Sequence, residues 1–263
     1  MNKIITLIII LIIVLAVFFA WWQLGREQEE YVAGDSSLTD IKERGKLIVG
    51  TFPKITPMTY HDEQGNNVGH DIDVIKEVAS QLGVSIEFKE IFFPDMLEAV
   101  KKGEVDVAIS AITITTERSK EMLFSAPYFD AGQTIIAQKN NENIKSPQDL
   151  RDKKVGVPRG TTCEKTAKEY VDPENLESYD DFEEVELLVN GKLDAIVHDY
   201  VAAVDFVKKY PTLKIVGEPF TQEYYGIASH KDNKALIDKI DKILREMKRD
   251  GQLKEIWNKW IGG

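Results

Sequence analysis

The stretch Gly103-Glu104-Val105-Asp106-Val107-Ala108-Ile109-Ser110-Ala111-Ile112-Thr113-Ile114-Thr115-Thr116-Glu117-Arg118 decides the fold. Gly103 ends a helical pattern, and Val105 to Ser110 is an apolar run of the kind that forms a strand buried on both faces. Directly after it come hydroxyls, free backbone groups and one guanidinium. A strand covered on both faces belongs to an α/β sheet, and such sheets bind ligands in the loops beyond the strand C-termini.

Working outward, the same alternation repeats on both sides. Lys46 to Gly50 is a strand, Asp73 to Leu82 a helix stopped by Gly83, Ser85 to Ile91 a strand and Pro94 to Lys102 a helix. Downstream, strands are expected at Lys154 to Val157, Leu193 to Val197, Leu213 to Val216 and Tyr224 to Ser229. Helices are expected from the Arg159-Gly160-Thr161 turn to Tyr170, over Asp181 to Asn190, over Tyr200 to Lys209, and over Asn233 to Trp260 with a break at Gly251. Two β/α blocks therefore flank a crossover near Gly132 to Gln138.

The N-terminus has a different character. Ile4 to Trp22 is unbroken apolar sequence, long enough to cross a bilayer core of ~30 Å as a helix. Phe18-Phe19-Ala20 is bulky where a signal-peptidase site needs small residues, which favours an uncleaved anchor over a cleavable leader. Lys3 places the N-terminus in the cytoplasm and the body outside. We expect an anchor over 1–25 and a flexible, polar tether over 26–40. A net charge of -11 argues against nucleic acid. The lone Cys163 excludes an internal disulfide, and no cofactor or metal motif is present.

Three segments at strand ends carry the chemistry. Arg118 can grip a carboxylate through two parallel hydrogen bonds, though an arginine taken alone is more often a surface cation or a helix-end salt bridge. Thr161 and Thr162 open a helix whose free N-H groups attract an anion, or one of the two simply caps it. Asp199 stands just past an apolar strand, as a ligand group or as the cap of the next helix.

Taken together, the markers Gly45-Lys46-Leu47-Ile48-Val49-Gly50, Gly69-His70-Asp71-Ile72-Asp73, Thr113 to Arg118, Phe124-Ser125-Ala126-Pro127-Tyr128, Val155 to Thr162 and Tyr225-Gly226-Ile227-Ala228 resemble family 3 extracellular solute-binding proteins, which feed polar amino acids to ABC transporters. The resemblance runs from about Ile41 to Ile261. It implies a two-lobed periplasmic-binding-protein fold (type II), with lobe 1 over 41–133 and 222–263 and lobe 2 over 134–221. Hinge strands are implied near Thr134 to Gln138 and Lys214 to Glu223. It also implies a monomer with an amino acid and an ABC permease as partners.

By resemblance, Arg118 binds the ligand α-carboxylate with the Thr113 hydroxyl and the Thr161 and Thr162 amides, and Asp199 accepts the α-ammonium with Ser110 and the Ile112 carbonyl nearby. Phe93 resembles the residue that packs on the ligand side chain. Phe52 and Ile55 stand where many relatives carry an acidic and an aromatic residue. Because a buried cation without a carboxylate partner costs several kcal/mol, neutral ligands are expected over lysine or arginine unless Asp71 or Asp95 reaches the pocket. His198 could donate to a side-chain amide, and Arg159 could meet an acidic one. Cyclohexadienyl and arogenate dehydratases share the fold and supply the alternative function, with Glu164 or Glu223 as potential acids.

Overall fold

Leu38 and Ile41 lie three residues apart on one helical face and both are buried, which makes Ser37–Arg44 a helix, α1. In this computed structural model residues 34–262 are described. Helix α1 therefore takes the end of the stretch expected as tether. Burying two aliphatic side chains at roughly 1.5 to 3 kcal/mol each outweighs the polarity of their neighbours. The run Ile4 to Trp22 and tether residues 26–33 lie outside the described residues. Among the described residues no helix is long and apolar enough to cross a membrane.

The chain continues through β1 (Lys46–Thr51), a small sheet of β2 (Lys54–Ile55), β3 (Thr59–His61) and β4 (Asn67–Val68), then α2 (His70–Leu82), β5 (Ser85–Glu90), α3 (Phe93–Lys101), β6 (Val107–Ala108), β7 (Met122–Phe124) and β8 (Phe129–Ala131). It crosses into β9 (Gln133–Gln138), β10 (Val155–Pro158), α4 (Thr162–Ala167), β11 (Leu176–Tyr179), α5 (Glu183–Val189), β12 (Ala195–Asp199), α6 (Tyr200–Lys209) and β13 (Leu213–Val216). It returns through β14 (Glu223–Tyr225) to β15 (Ala228–His230), α7 (Lys234–Arg249) and α8 (Gln252–Trp260).

Two five-stranded sheets result, ordered β5-β1-β6-β15-β7 and β11-β10-β12-β9-β13. Each has three parallel strands followed by an antiparallel one, β15 against β6 and β9 against β12. In both sheets the antiparallel strand comes from chain that has just crossed over, which makes the body two-lobed.

Strand alternation builds the second lobe's two cores. Ile135, Ala137, Val155 and Val197 face one cluster, whereas Ile136 and Ile196 face the other. The first lobe closes over α7, whose Leu236, Ile237, Ile240, Ile243, Leu244 and Met247 form one buried stripe. The expected single strand over Tyr224 to Ser229 is split into β14 and β15.

The segment Thr134 to Gln138, read as a hinge, lies inside the second sheet, paired with both β12 and β13. The crossing itself is made by β8 and β14, an antiparallel pair with Ala131 opposite Glu223. Gly132 continues it. A Cβ there would stand 2.5 Å from the Thr221 carbonyl oxygen, so the close approach of the two crossing segments requires glycine.

Candidate ligand-binding cleft

Residues just beyond β1, β6, β10 and β12 line one narrow cavity between the lobes. Its wall includes Phe52, Ile55, Phe93, Thr113, Arg118, Thr161, Thr162 and Asp199, which the sequence singles out from separate segments. Ser110 and Ile112 stand behind that wall. The buried Ser110 Oγ accepts from the Phe52 amide at 3.1 Å, or donates to its carbonyl at 3.3 Å, and so fastens the end of β1. The Ile112 carbonyl accepts from the Gly226 amide at 3.0 Å, and its side chain belongs to the core.

Asp199 occupies the N-cap position of α6 without making a side-chain cap bond. Its Oδ2 accepts from the Tyr225 hydroxyl at 2.8 Å, and its Oδ1 accepts from the Cys163 thiol at 3.4 Å. Burial, with the Glu223 charge nearby, pushes the Asp199 carboxyl up to about 6 despite these donors. The same burial, reinforced by Asp199, pushes the Cys163 thiol well above its ordinary value.

Arg118 begins a short 3-10 turn and folds back, Nη1 donating to the Thr113 carbonyl at 2.9 Å. Its guanidinium lies 5.9 Å from the centre of the Phe93 ring. Burial lowers its proton affinity, while Glu223 and Asp199 support the charge. Thr161 does cap α4, accepting from the Glu164 amide at 3.4 Å and donating to the Pro158 carbonyl at 2.7 Å. That cap fixes the start of a helix whose first amides have no intrahelical partner.

The ring of His198 lines the cavity, and its Nε2 is buried without a hydrogen-bond partner. Nδ1 accepts from the Asp199 amide at 2.9 Å, and Nε2 faces the Glu184 carboxyl at 4.0 Å. Phe182 and Phe206 pack on the ring, and burial drops its pKa to about 4. Burial likewise raises Glu184 to about 8, and neither of its carboxyl oxygens has a hydrogen-bond partner. Arg159 lines the cavity but is held along the wall by Asp180 and the Ser178 carbonyl, both at 2.9 Å. Neither Asp71 nor Asp95 lines it; Asp71 is buried, accepting from the Ala111 amide at 2.7 Å. Glu164 accepts from the Gly160 amide and Lys168, an ordinary turn and helix arrangement.

Sequence reasoning missed Asp181 and Phe182, whose backbones are left-handed at φ 53° and 63°. The pattern there reads as a helix start, and no residue type announces the turn. This conformation, which costs about 1 to 3 kcal/mol in non-glycine residues, brings the Phe182 ring 6.0 Å from Phe52 across the cleft. Asp181 meets Lys54 at 2.8 Å, and Lys165 meets Glu117, so two exposed ion pairs bridge the lobes. Tyr225 and Cys163, the donors to Asp199, had no assigned role. Glu223 was weighed only as an acid, although a charged residue just before the apolar Tyr225-Gly226-Ile227-Ala228 run was a usable signal.

Comparison with known proteins agrees with the two-lobed fold. The chain is 34% identical over 236 residues to the L-cystine-binding protein TcyJ of Escherichia coli (strain K12), covering 88% of each. It superposes with a TM-score of 0.79 on an ancestral arginine-binding protein bound to glutamine, at 45% identity and over 84% of this chain and 99% of that one. The ancestral amino acid-binding protein AncCDT-1, a precursor of cyclohexadienyl dehydratase, gives a TM-score of 0.80 at 36% identity, over 86% of this chain and 99% of that one. Residues 47–263 match the bacterial extracellular solute-binding proteins, family 3, and the chain belongs to that family.

Proposed function

We propose that the cleft captures an amino acid by its α-carboxylate and α-ammonium and that the protein delivers it to an ABC importer. One observation carries the reading: Arg118 of one lobe and Asp199 of the other line a single cavity, each bonded within the protein only to uncharged groups. Opposite charges on opposite lobes attract the two ends of a zwitterion, so occupancy favours lobe closure. Relatives named for cystine and arginine binding, and a similar structure holding glutamine, support an amino acid as the ligand class.

Phe52, Ile55, Phe93 and Phe182 give the side-chain end an apolar wall. A guanidinium would lose water against this wall, where Asp181 is half-exposed and already meets Lys54, which favours a neutral side chain. In the same reading Ile4 to Trp22 anchors a monomeric body outside the membrane, lobe 1 comprises 41–133 and 222–263, and lobe 2 comprises 134–221. The protein binds without catalysis.

The raised Asp199 carboxyl is the one feature that favours a dehydratase instead, since an acid near 6 can hold a proton. Its two bonded donors, however, suit an acceptor. A thermal-shift screen of all amino acids tests the proposal, because a ligand at 100 times its Kd stabilises by ~2.7 kcal/mol. No response to any amino acid, with release of water from a cyclohexadienyl acid, would establish the enzyme.

A further inference from the structure

Ala111 lines the cleft with a left-handed backbone, φ 51°, a region that residues other than glycine avoid. It stands in the turn after β6, between residues that are already fastened. On one side the Ser110 hydroxyl is bonded to the Phe52 backbone, and on the other the Ile112 carbonyl accepts from the Gly226 amide. The next carbonyl, of Thr113, accepts from the Arg118 guanidinium at 2.9 Å. What secures Ala111 itself comes from α2: its amide donates to Oδ2 of Asp71 at 2.7 Å.

Asp71 is fully buried in the first turn of α2, where the helix dipole supports a negative charge. Its own amide donates to the Met58 carbonyl at 2.9 Å, which pins that turn. Its second oxygen faces the His70 Nδ1 at 3.4 Å, and the rings of Tyr128 and Phe129 pack on His70. A hydrogen bond to an ionised acceptor is roughly twice as strong as a neutral one, and exclusion of water preserves that strength.

We propose that Asp71 is a positioning residue whose carboxylate holds Ala111 left-handed and so sets the loop from Ser110 to Arg118 in the form that receives the ligand. This rests on the reading of the cleft as an amino-acid site. Without that acceptor the turn relaxes toward an ordinary backbone conformation, and Thr113 and Arg118 lose their shared orientation. Apparent affinity then falls with the fraction of molecules whose loop keeps the competent form. Glycine adopts positive φ freely, so at position 111 it would depend on Asp71 far less than alanine does.

The test uses the full chain with isotope-labelled alanine. Hydrogen exchange at the Ala111 amide is read by NMR, alongside calorimetry with the amino acid that stabilises the protein most. Asp71→Ala should speed exchange at Ala111 on the order of ten-fold or more and weaken binding about ten-fold, the bias against a left-handed alanine. Asp71→Asn keeps a neutral acceptor of the same size, so it should weaken binding only about three-fold, and it keeps the experiment interpretable if Asp71→Ala folds poorly. Combined with Ala111→Gly, the loss from Asp71→Ala should shrink to about three-fold and that from Asp71→Asn should vanish. Ile240→Val, in the same lobe's core on α7, should lower the melting temperature and leave affinity unchanged. Equal losses with and without Ala111→Gly, unchanged exchange at Ala111, or a comparable affinity loss in Ile240→Val would overturn the proposal. A wild type that binds no amino acid would overturn the cleft reading and this role with it, whereas wild-type affinity in both Asp71 variants would overturn this role alone.

Discussion

The hydroxyl of Tyr225 donates to the carboxylate of Asp199 at 2.8 Å, joining the first lobe's core to the last residue of the second lobe's strand β12. Register explains the meeting: Asp199 pairs with Gln133, and Ala131 pairs with Glu223 two residues before Tyr225, so the crossing brings all of them together. Tyr225 is fully buried, and burial together with Asp199 raises its phenol well above the ordinary value. It is therefore a donor at any physiological pH. Tyr225→Phe should weaken amino-acid binding by about 1 kcal/mol, the usual worth of one hydrogen bond. Calorimetry on the two proteins side by side reads the difference.

The same carboxylate sets a pH dependence. Asp199 must be ionised to hold an ammonium, and burial holds its carboxyl near 6. Affinity should be constant above pH 7 and fall by up to ten-fold per unit as pH drops below about 6, because the proton then competes with the ligand. In Tyr225→Phe the midpoint should move up, since a donor that lowers the carboxyl value is gone. A flat affinity between pH 5 and pH 7 would remove Asp199 from the ammonium site.

Stability should respond to a different group. The folded state raises Glu184 to about 8 from an ordinary 4.5, so it binds a proton more tightly than the unfolded chain does. Its contribution is complete below the unfolded value and is lost as pH rises through the folded one. His198 acts oppositely, but only between about 4 and 6.5, and the Asp199 contribution has faded by about 6. Between pH 6.5 and pH 8 the fold should therefore weaken, by at most about 1.4 kcal/mol per unit. Glu184→Gln should flatten that slope, which urea denaturation across the range would show.

Ligand choice follows from the wall of the cleft. A guanidinium would have to lose its water against Phe52, Ile55 and Phe93 with Asp181 already beside Lys54, whereas an uncharged polar or medium apolar side chain would meet that wall without a charge to desolvate. Competition calorimetry should rank glutamine above arginine. The reverse order would mean that Asp181 leaves Lys54 and enters the site.

Much of this architecture was legible in the sequence. Helix stops at Gly83 and Gly251 and the apolar run through Val107 and Ala108 identify the β/α alternation, and residues placed after strands reach the cleft because strand ends converge there. What escaped was set by tertiary register. Nothing local in Asp181-Phe182 forecasts two left-handed residues, and Glu223 gains its meaning only when Thr113 and Thr162 arrive from opposite lobes. The place of Thr134 to Gln138 inside the second sheet escaped for a related reason. An apolar run such as Thr134 to Gln138 is as good a central strand as a connector, and pairing with β12 and β13 decides it.

The most direct measurement of the central claim is calorimetric titration of wild type, Arg118→Ala and Asp199→Ala with the amino acid that stabilises the protein most in the screen. Each substitution should weaken binding by ~2 to 5 kcal/mol, because each leaves a charged ligand group desolvated and unpaired, while Arg159→Ala, whose guanidinium is held by Asp180 and Ser178, should change little. Wild-type affinity in both Arg118→Ala and Asp199→Ala would contradict the account.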